Sequence, residues 1–214
     1  MAASRQSAIR FIVALGLISL LADVTYEGAR SINGPFLALL GASAAVVGIV
    51  SGAGELAGYT LRLFSGAIAD RTRAYWTLTI AGYVVNLMAV PLMALSNHWG
   101  IAAALIVAER AGKAVRTPAR DVMLSQASKM VGRGWGFGLH EFMDQTGAFL
   151  GPLLMALVLA KTHRYPAAYM LLGIPAGLAL ATLFTAMKFY PDPRRFERSL
   201  WPVAGEQLLG AIVL

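Results

Sequence analysis

Residues 44–65 read AAVVGIVSGAGELAGYTLRLFS, and the chain continues through Gly66-Ala67-Ile68-Ala69-Asp70-Arg71-Thr72-Arg73 into a second apolar stretch at residues 76–95. A helix needs ~20 mostly apolar residues to cross the ~30 Å hydrocarbon core of a bilayer, and both stretches meet that length. The charged segment between them is too short to hold a domain. This part of the sequence therefore predicts two membrane-spanning helices joined by a short charged hinge.

Composition extends that prediction to the whole chain. Hydrophobic residues make up 57% of the 214 positions, charged residues make up 14%, and the mean hydropathy is +0.64. These values exclude an ordinary soluble domain and are typical of a polytopic membrane protein. We predict an all-α membrane protein with a six-transmembrane-helix bundle in residues 1–190, its spans lying at about 9–40, 44–65, 74–95, 100–117, 137–160 and 167–188.

Three segments fit this division less regularly. The first span is overlong, and we expect an interruption at Asn33-Gly34-Pro35. The fourth span has an unbroken apolar run only at residues 101–108, and residues 117–135 are expected to lie along the membrane surface. Two prolines end the sixth helix, so residues 191–214 are predicted to be a cytoplasmic tail or the start of a linker to a missing second half.

The distribution of basic residues predicts the orientation. If both termini are cytoplasmic, thirteen Lys and Arg lie on the cytoplasmic side, at positions 5, 10, 71, 73, 113, 116, 120, 129, 133, 188, 194, 195 and 198, and only Lys161 and Arg164 lie outside. This asymmetry is the positive-inside rule, so it explains the net charge of +7 without a nucleic-acid partner. The absence of cysteine excludes disulfides, thiol nucleophiles and cysteine metal sites.

Ionisable residues recur inside the predicted spans at helical spacing. A charge that faces lipid costs at least ~2.5–3.5 kcal/mol, so these faces must look into a bundle interior or a wet cavity. We predict a substrate or proton pathway from them, or, as the alternative, ion pairs that only fix helix packing. The residues are Asp23, Glu27 and Arg30 in span 1; Glu55, Tyr59 and Arg62 in span 2; Glu109 and Arg110 in span 4; and Glu141, Asp144 and Gln145 in span 5.

Asp23 is the strongest candidate for proton transfer. At ~1.5 Å per residue it lies ~20 Å along the helix from Arg10, near the bilayer midplane where a transport site is expected. Glu27 and Glu55 are the next candidates. We interpret Lys113 and Arg116, near a span end, as snorkelling side chains. His140-Glu141-x-x-Asp144 lacks the second histidine of a zinc helix, so no metal site is predicted.

Three glycine pairs at four-residue spacing predict close helix packing: Gly48 and Gly52, Gly54 and Gly58, and Gly147 and Gly151.

The Gly66-x-x-x-Asp70-Arg71 hinge resembles the loop signature of the major facilitator superfamily of transporters, and residues 110–121 and 136–140 are similar to the family in the expected order. The resemblance implies half of that fold, with a 3+3 inverted repeat, although no residue-level repeat is evident. It also implies a gating loop. Gly66 would permit close contact between helices 2 and 3, Asp70 would pack against a helix N-terminus of the opposite half, and Arg71 would join a charge relay. Arg73 belongs to the same loop. Arg73 stands where the family usually has glycine.

We therefore predict a secondary transporter in the inner (plasma) membrane that moves a small solute by alternating access. Proton coupling and export are favoured, and the chain is expected to work as a homodimer or with a missing C-terminal six-helix half. The alternative is a truncated or non-transporting membrane subunit. No catalytic constellation, cofactor or nucleic-acid partner is predicted.

Overall fold

The computed structural model describes residues 4–198, which form a bundle of long helices. In chain order these are α1 (Arg5–Leu39), α2 (Ala44–Thr72), α3 (Tyr75–Leu92), α4 (Trp99–Ser128), α5 (Arg133–Thr162), α6 (Tyr165–Phe189) and the short α7 (Arg195–Arg198), with a 3₁₀ turn (Met93–Leu95) after α3. The described residues contain no strand, and the predicted all-α class is confirmed. Residues 199–214 of the predicted tail lie outside the described residues.

Five of the described helices are long and apolar enough to cross a membrane: α1, α2, α3 with its 3₁₀ turn, α5 and α6. Helix α4 has 30 residues, but four ionisable side chains between positions 109 and 116 lower its hydropathy. Its packing rather than its composition places it beside the spans, because it lies against both α2 and α3.

Contacts between the helices show that successive helices alternate in direction. Helices α1 and α5 are parallel and α2 and α4 are parallel, whereas α1 is antiparallel to α6 and α3 is antiparallel to α4. The pairs that establish this are Ser19–Asp144 and Gly28–Gly151, Gly54–Arg110 and Ser65–Ala114, Phe11–Tyr190 and Asn33–Tyr169, and Gly82–Arg116 and Asn86–Glu109. The start of α1 and the end of α6 therefore lie at the same end of the bundle.

If the bundle is divided into α1–α3 and α4–α6, the first helix of each half packs mainly on the last two helices of the other half. Helix α1 packs mainly on α5 and α6, while α4 packs mainly on α2 and α3. If α1–α3 correspond to α4–α6, the contacts of one triplet map onto those of the other, and α1 and α4 point in opposite directions. This is the arrangement that a 3+3 inverted repeat requires.

The turns after α2 and α5 contain a residue-level repeat that was not predicted from the sequence. Thr72 and Thr162 each donate a side-chain hydrogen bond to the carbonyl four residues earlier, at 2.8 Å, and accept one from the amide two residues later, at 3.3 Å. The following residues, Arg73 and His163, both adopt left-handed backbone conformations with φ of 54° and 51°. The shared pattern is a basic residue, threonine, two further residues and tyrosine, at 71–75 and 161–165.

Two predicted breaks are continuous helix. Helix α1 passes through Asn33-Gly34-Pro35 to Leu39, where buried Phe36 and Leu37 pack against the core and Tyr169 donates a 2.8 Å hydrogen bond to Asn33. This packing outweighs the one backbone hydrogen bond that Pro35 removes.

The second break was expected where span 4 was predicted to end, at residue 117, before the segment assigned to the membrane surface. Helix α4 instead continues to Ser128, with Met123 and Leu124 buried in the core. Pro118 lacks the amide that would bond the carbonyl four residues earlier, which is that of Ala114. The hydroxyl of Ser65 on α2 donates to this carbonyl at 2.8 Å, so a neighbouring helix compensates for the proline.

Candidate functional site

Six charged side chains form an alternating chain between α1, α2 and α4. Glu27 Oε1 lies 3.5 Å from Lys113 Nζ and 3.7 Å from Arg30 Nη1. Arg30 Nη2 lies 2.6 Å from Glu55 Oε1, which also pairs with Arg110. Arg110 Nε then lies 3.2 Å from Glu109 Oε2. The order is therefore Lys113, Glu27, Arg30, Glu55, Arg110 and Glu109, and we call it the six-charge chain.

Local helix geometry positions these groups. Glu27 and Arg30 are three residues apart on α1, so they share a face. Glycines 54 and 58 of α2 face the stem and backbone of Arg110, where an added Cβ would meet its atoms at 3.6 and 4.0 Å, so the two helices approach closely. Asn86 of α3 donates hydrogen bonds to the side chain and backbone carbonyl of Glu109, at 2.8 and 3.1 Å, and anchors the buried end of the chain.

The six-charge chain borders an open cleft. Exposure of its cationic side chains falls from 49% for Arg30 to 12% for Arg110, and the Glu109 side chain at the inner end is 5% exposed. The cleft is lined by Arg30, Glu55, Gly58, Tyr59, Arg62, Arg110, Lys113 and Ala114. The six-charge chain is therefore most exposed in its middle, at Arg30, and one of its ends, Glu109, lies inside the bundle.

A second polar network lies one or two turns further along the helices. Arg120 of α4 donates to Ser19 of α1 at 2.9 Å, and its guanidinium lies 2.8 Å from Asp121 and 3.8 Å from Asp144 of α5. Ser19 donates to Asp144 in turn. The network holds α1, α4 and α5 together and adjoins the buried ring of His140.

Asp23 lies between the two clusters and is 2% exposed. Its Oδ1 has no hydrogen-bond partner among residues 4–198. Gly147 of α5 allows the close approach, because a Cβ there would lie 2.9 Å from Asp23 Cβ. The carboxyl is therefore enclosed by helices rather than directed towards lipid.

Arg116 does not snorkel, and that interpretation of the sequence was wrong. The residue is 1% exposed, and its guanidinium carbon lies 4.1 Å from the ring centroid of Tyr83 and 5.6 Å from that of Tyr26. Its three guanidinium nitrogens have no hydrogen-bond partner within the described range. Lys113 also turns inward, with Nζ 3.9 Å from the Tyr26 ring centroid. Aromatic faces replace the solvent that a snorkelling side chain would reach.

Comparison with known proteins identifies the family. The model of the Major Facilitator Superfamily matches residues 12–209. The chain belongs to that superfamily. An uncharacterized protein of Mycobacterium tuberculosis is 50% identical over 192 residues, which are 89% of this chain and 47% of the relative. An uncharacterized transporter of the same superfamily from Methanocaldococcus jannaschii is 29% identical over 84% of this chain and 45% of its own length.

The multidrug resistance protein MdtH of Edwardsiella ictaluri is 29% identical over 130 residues, which are 61% of this chain and 32% of that protein. The chain thus spans about half the length or less of these curated relatives. In this member of the Major Facilitator Superfamily, the six long helices α1–α6 form one bundle.

The hinge between α2 and α3 is shorter than the predicted segment Gly66 to Arg73. Helix α2 continues through Gly66 and Asp70 to Thr72, so the turn itself is Arg73 and Ala74. Arg73 has the left-handed conformation that favours the glycine usual in the superfamily. Asp70 and Arg71 are exposed, and Asp70 shares a surface pocket with Arg73 and Lys129.

Gly66 does not bring α2 and α3 together, as the resemblance implied. An added Cβ on Gly66 would lie 3.8 and 4.0 Å from two side-chain atoms of Pro118 on α4, and no described atom of α3 lies within 4 Å of it. Gly66 therefore leaves room for Pro118. The adjacent Ser65 donates a hydrogen bond to the Ala114 carbonyl, which Pro118 leaves without its usual amide partner.

The candidate site residues on α5 lie in two different places. Asp144 belongs to the second network, whereas Glu141 and Gln145 are exposed and joined to each other by a 2.7 Å hydrogen bond. Tyr59 on α2 is 64% exposed and stacks loosely with Arg62, whose guanidinium carbon is 5.9 Å from the ring centroid. Asn86, Ser19 and Arg120 are site residues that were not predicted from the sequence. Asn86 is the polar side chain in the middle of an apolar helix, which was the available signal for it.

The glycine pairs also differ. Gly147 and Gly151 pack against the α1 backbone as predicted, whereas Gly48 and Gly52 have no described atom outside their own helix segment within 4 Å of an added Cβ.

Proposed function

We propose that this chain forms a six-helix half of a secondary transporter that moves a small solute by alternating access. The observation that carries the proposal is the six-charge chain along an open cleft between α1, α2 and α4. Ionisable groups at membrane depth are expensive unless they serve a pathway or pair with one another. A chain of exchangeable pairs can open and re-form when helices move, and midplane sites of this kind are typical of such transporters.

We assign proton coupling to Asp23, with Glu27 and Glu55 as alternatives. The support is that Asp23 is enclosed at the α1–α5 crossing, with one carboxyl oxygen that has no partner among the described residues. Asp23 forms no ion pair among the described residues, so it can bind and release a proton without breaking one. Glu27 and Glu55 each hold two cations, so protonation of either would disturb the six-charge chain.

The transporter works with a second six-helix unit, either a copy of this chain or a further half. Helices α2 and α5 support this, because they have few buried residues and carry large exposed apolar side chains. The cleft opens beside α2, so a partner on this face would close it. The inner membrane, cytoplasmic termini and export are proposed with it. The thirteen-to-two split of basic residues supports the orientation, and similarity to a protein named for multidrug resistance supports export.

Proteoliposomes that contain a pH-sensitive dye test the function. Gradients of carboxylates, phosphates, sugars and cationic dyes are imposed in turn, and the internal pH and solute content are recorded. We expect one solute to move together with protons. Asp23→Asn should abolish the coupled pH change while leaving the protein folded. Asp192→Asn, in the link between α6 and α7, is the control and should behave as the parent protein.

Three results would each contradict a part of the proposal. Normal coupled pH changes with Asp23→Asn would move the coupling to Glu27 or Glu55. Absence of flux for every solute, with the protein folded and oriented, would favour the non-transporting subunit. Transport by a demonstrated monomer, at one copy per vesicle, would remove the need for a second unit.

A further inference from the structure

We infer that the cleft between α1, α2 and α4 binds the anionic group, a carboxylate or phosphate, of its solute, and that Arg62 is the principal contact. The inference rests on the proposed function of this cleft and names the chemical class of its ligand.

The charge balance of the cleft supports an anion. Its lining contains four cationic side chains and one carboxylate. Three of the cations, Arg30, Arg110 and Lys113, belong to the six-charge chain, where Glu27, Glu55 and Glu109 balance them. Arg62 is left over, so the cleft as a whole carries one positive charge more than its carboxylates neutralise.

The position of Arg62 makes that charge available to a ligand. Arg62 lies seven residues after Glu55 on α2, so both side chains occupy the same helix face. Its side chain is exposed and pairs with no carboxylate among residues 4–198; its described neighbour is the ring of Tyr59 at 5.9 Å. An unpaired guanidinium inside an apolar span requires water or a counter-ion, because contact with lipid costs at least ~2.5–3.5 kcal/mol.

The surrounding groups suit an oxyanion. Guanidinium presents paired N–H donors that match the oxygens of a carboxylate or phosphate. Lys113 lines the same cleft, and its ammonium is held by one carboxylate at 3.5 Å, which leaves donors for a second acceptor. A cationic solute would meet net repulsion at this surface. Binding of an anion would complete the charge balance.

Matched ligand pairs test the inference on the purified full chain in detergent. Benzoate is compared with benzamide, glycerol 3-phosphate with glycerol, and glucose 6-phosphate with glucose, at constant ionic strength, with a cationic dye as a further arm. A ligand that binds the folded state raises the melting temperature. We expect at least one anion to do so while its neutral partner and the dye do not. Anions of the carboxylate and phosphate arms show which oxyanion is preferred.

Variants locate the site. Arg62→Gln should weaken binding of that anion by about tenfold or more, in line with the loss of a charged hydrogen bond. Arg62→Lys should retain part of the affinity. Arg133→Gln, at the exposed start of α5, is the control and should bind normally. If Arg62→Gln does not fold, the comparison of Arg62→Lys and Lys113→Gln with the parent decides the result.

The outcomes distinguish this inference from the proposed function. Failure of every anion to exceed its neutral partner, or equal binding by Arg62→Gln, overturns the inference. Transport of a neutral or cationic solute without anion binding would also overturn it and leave the transporter function standing. Anion binding at Arg62 without any transport would support the inference and overturn the transporter function.

Discussion

Replacement of Gly112 by alanine should destabilise the bundle at the crossing of α3 and α4. A Cβ at position 112 would lie 2.5 Å from Asn86 N, 2.7 Å from Gly82 O and 2.9 Å from Asn86 Cα. These are backbone atoms, so no side-chain rotation relieves the clash. Ordinary contact begins at 3.4 Å, and the difference from 2.5 Å means that α3 must move by about 0.9 Å. The same shift would stretch the 2.8 Å hydrogen bond from Asn86 to Glu109.

The magnitude follows from two opposing effects. Overpacking of this kind costs ~1–3 kcal/mol, whereas alanine favours a helix over glycine by ~1 kcal/mol. The difference is a net loss of up to ~2 kcal/mol, which for a chain of this size lowers the melting temperature by up to ~8 °C. Heated samples in detergent, followed by size-exclusion chromatography at a fixed heating rate, measure the change.

Gly177→Ala is the matched control. Gly177 also lies within a membrane helix, and an added Cβ there has no described atom outside its own helix segment within 4 Å. This variant should melt at the parent temperature or slightly above it, because only the helix preference changes. A Gly112→Ala protein that melts as high as Gly177→Ala would refute the close crossing of α3 and α4.

Three further predictions concern the membrane orientation, the proline of α4 and the turn after α2. In this cysteine-free chain, a cysteine at Thr72 should react only from the cytoplasmic side and one at Thr162 only from the opposite side; the reverse pattern would overturn the orientation. Ser65→Ala should lower stability by about 1 kcal/mol, because it leaves the buried Ala114 carbonyl without a partner. Thr182→Ala is the control and should change stability by less than ~0.5 kcal/mol, because the exposed Thr182 hydroxyl bonds only its own helix. Equal melting temperatures for these two variants would count against compensation of the α4 proline. Arg73→Gly should raise stability by ~0.5–1 kcal/mol, since glycine adopts the left-handed conformation without a steric penalty, and a lower melting temperature would contradict that account.

The sequence alone was sufficient for the class and approximate extent of the helices. The length of an apolar run is a local property, and a bilayer imposes the same length requirement on every span. The irregular fourth span was also visible, because its apolar run is short. The helix ends were less predictable. The Asn33-Gly34-Pro35 segment indicated a break, and span 4 was expected to end at residue 117. Contacts with other helices, including the hydroxyl of Ser65, allow both helices to continue.

The sequence also identified most of the charged side chains that meet at the cleft, because helical spacing places Glu27 with Arg30 on α1 and Glu55 with Arg62 on α2. Spacing within one helix did not show which charges pair between helices. The Arg30–Glu55 contact joins residues 25 apart in the sequence, and the Ser19–Asp144 contact joins residues 125 apart.

Those pairings depend on the rotation and distance of each helix relative to its neighbours. Rotation turns Arg116, which was interpreted as snorkelling, inward to Tyr83. It leaves Glu141, which was assigned to the pathway, on the exposed face of α5. Distance is set where the Gly82–Gly112 and Gly28–Gly151 crossings bring backbones together. The sequence therefore determined which helices form and which charges they carry, and the tertiary structure decided which charges meet, because ion pairing depends on side-chain positions that only helix packing establishes.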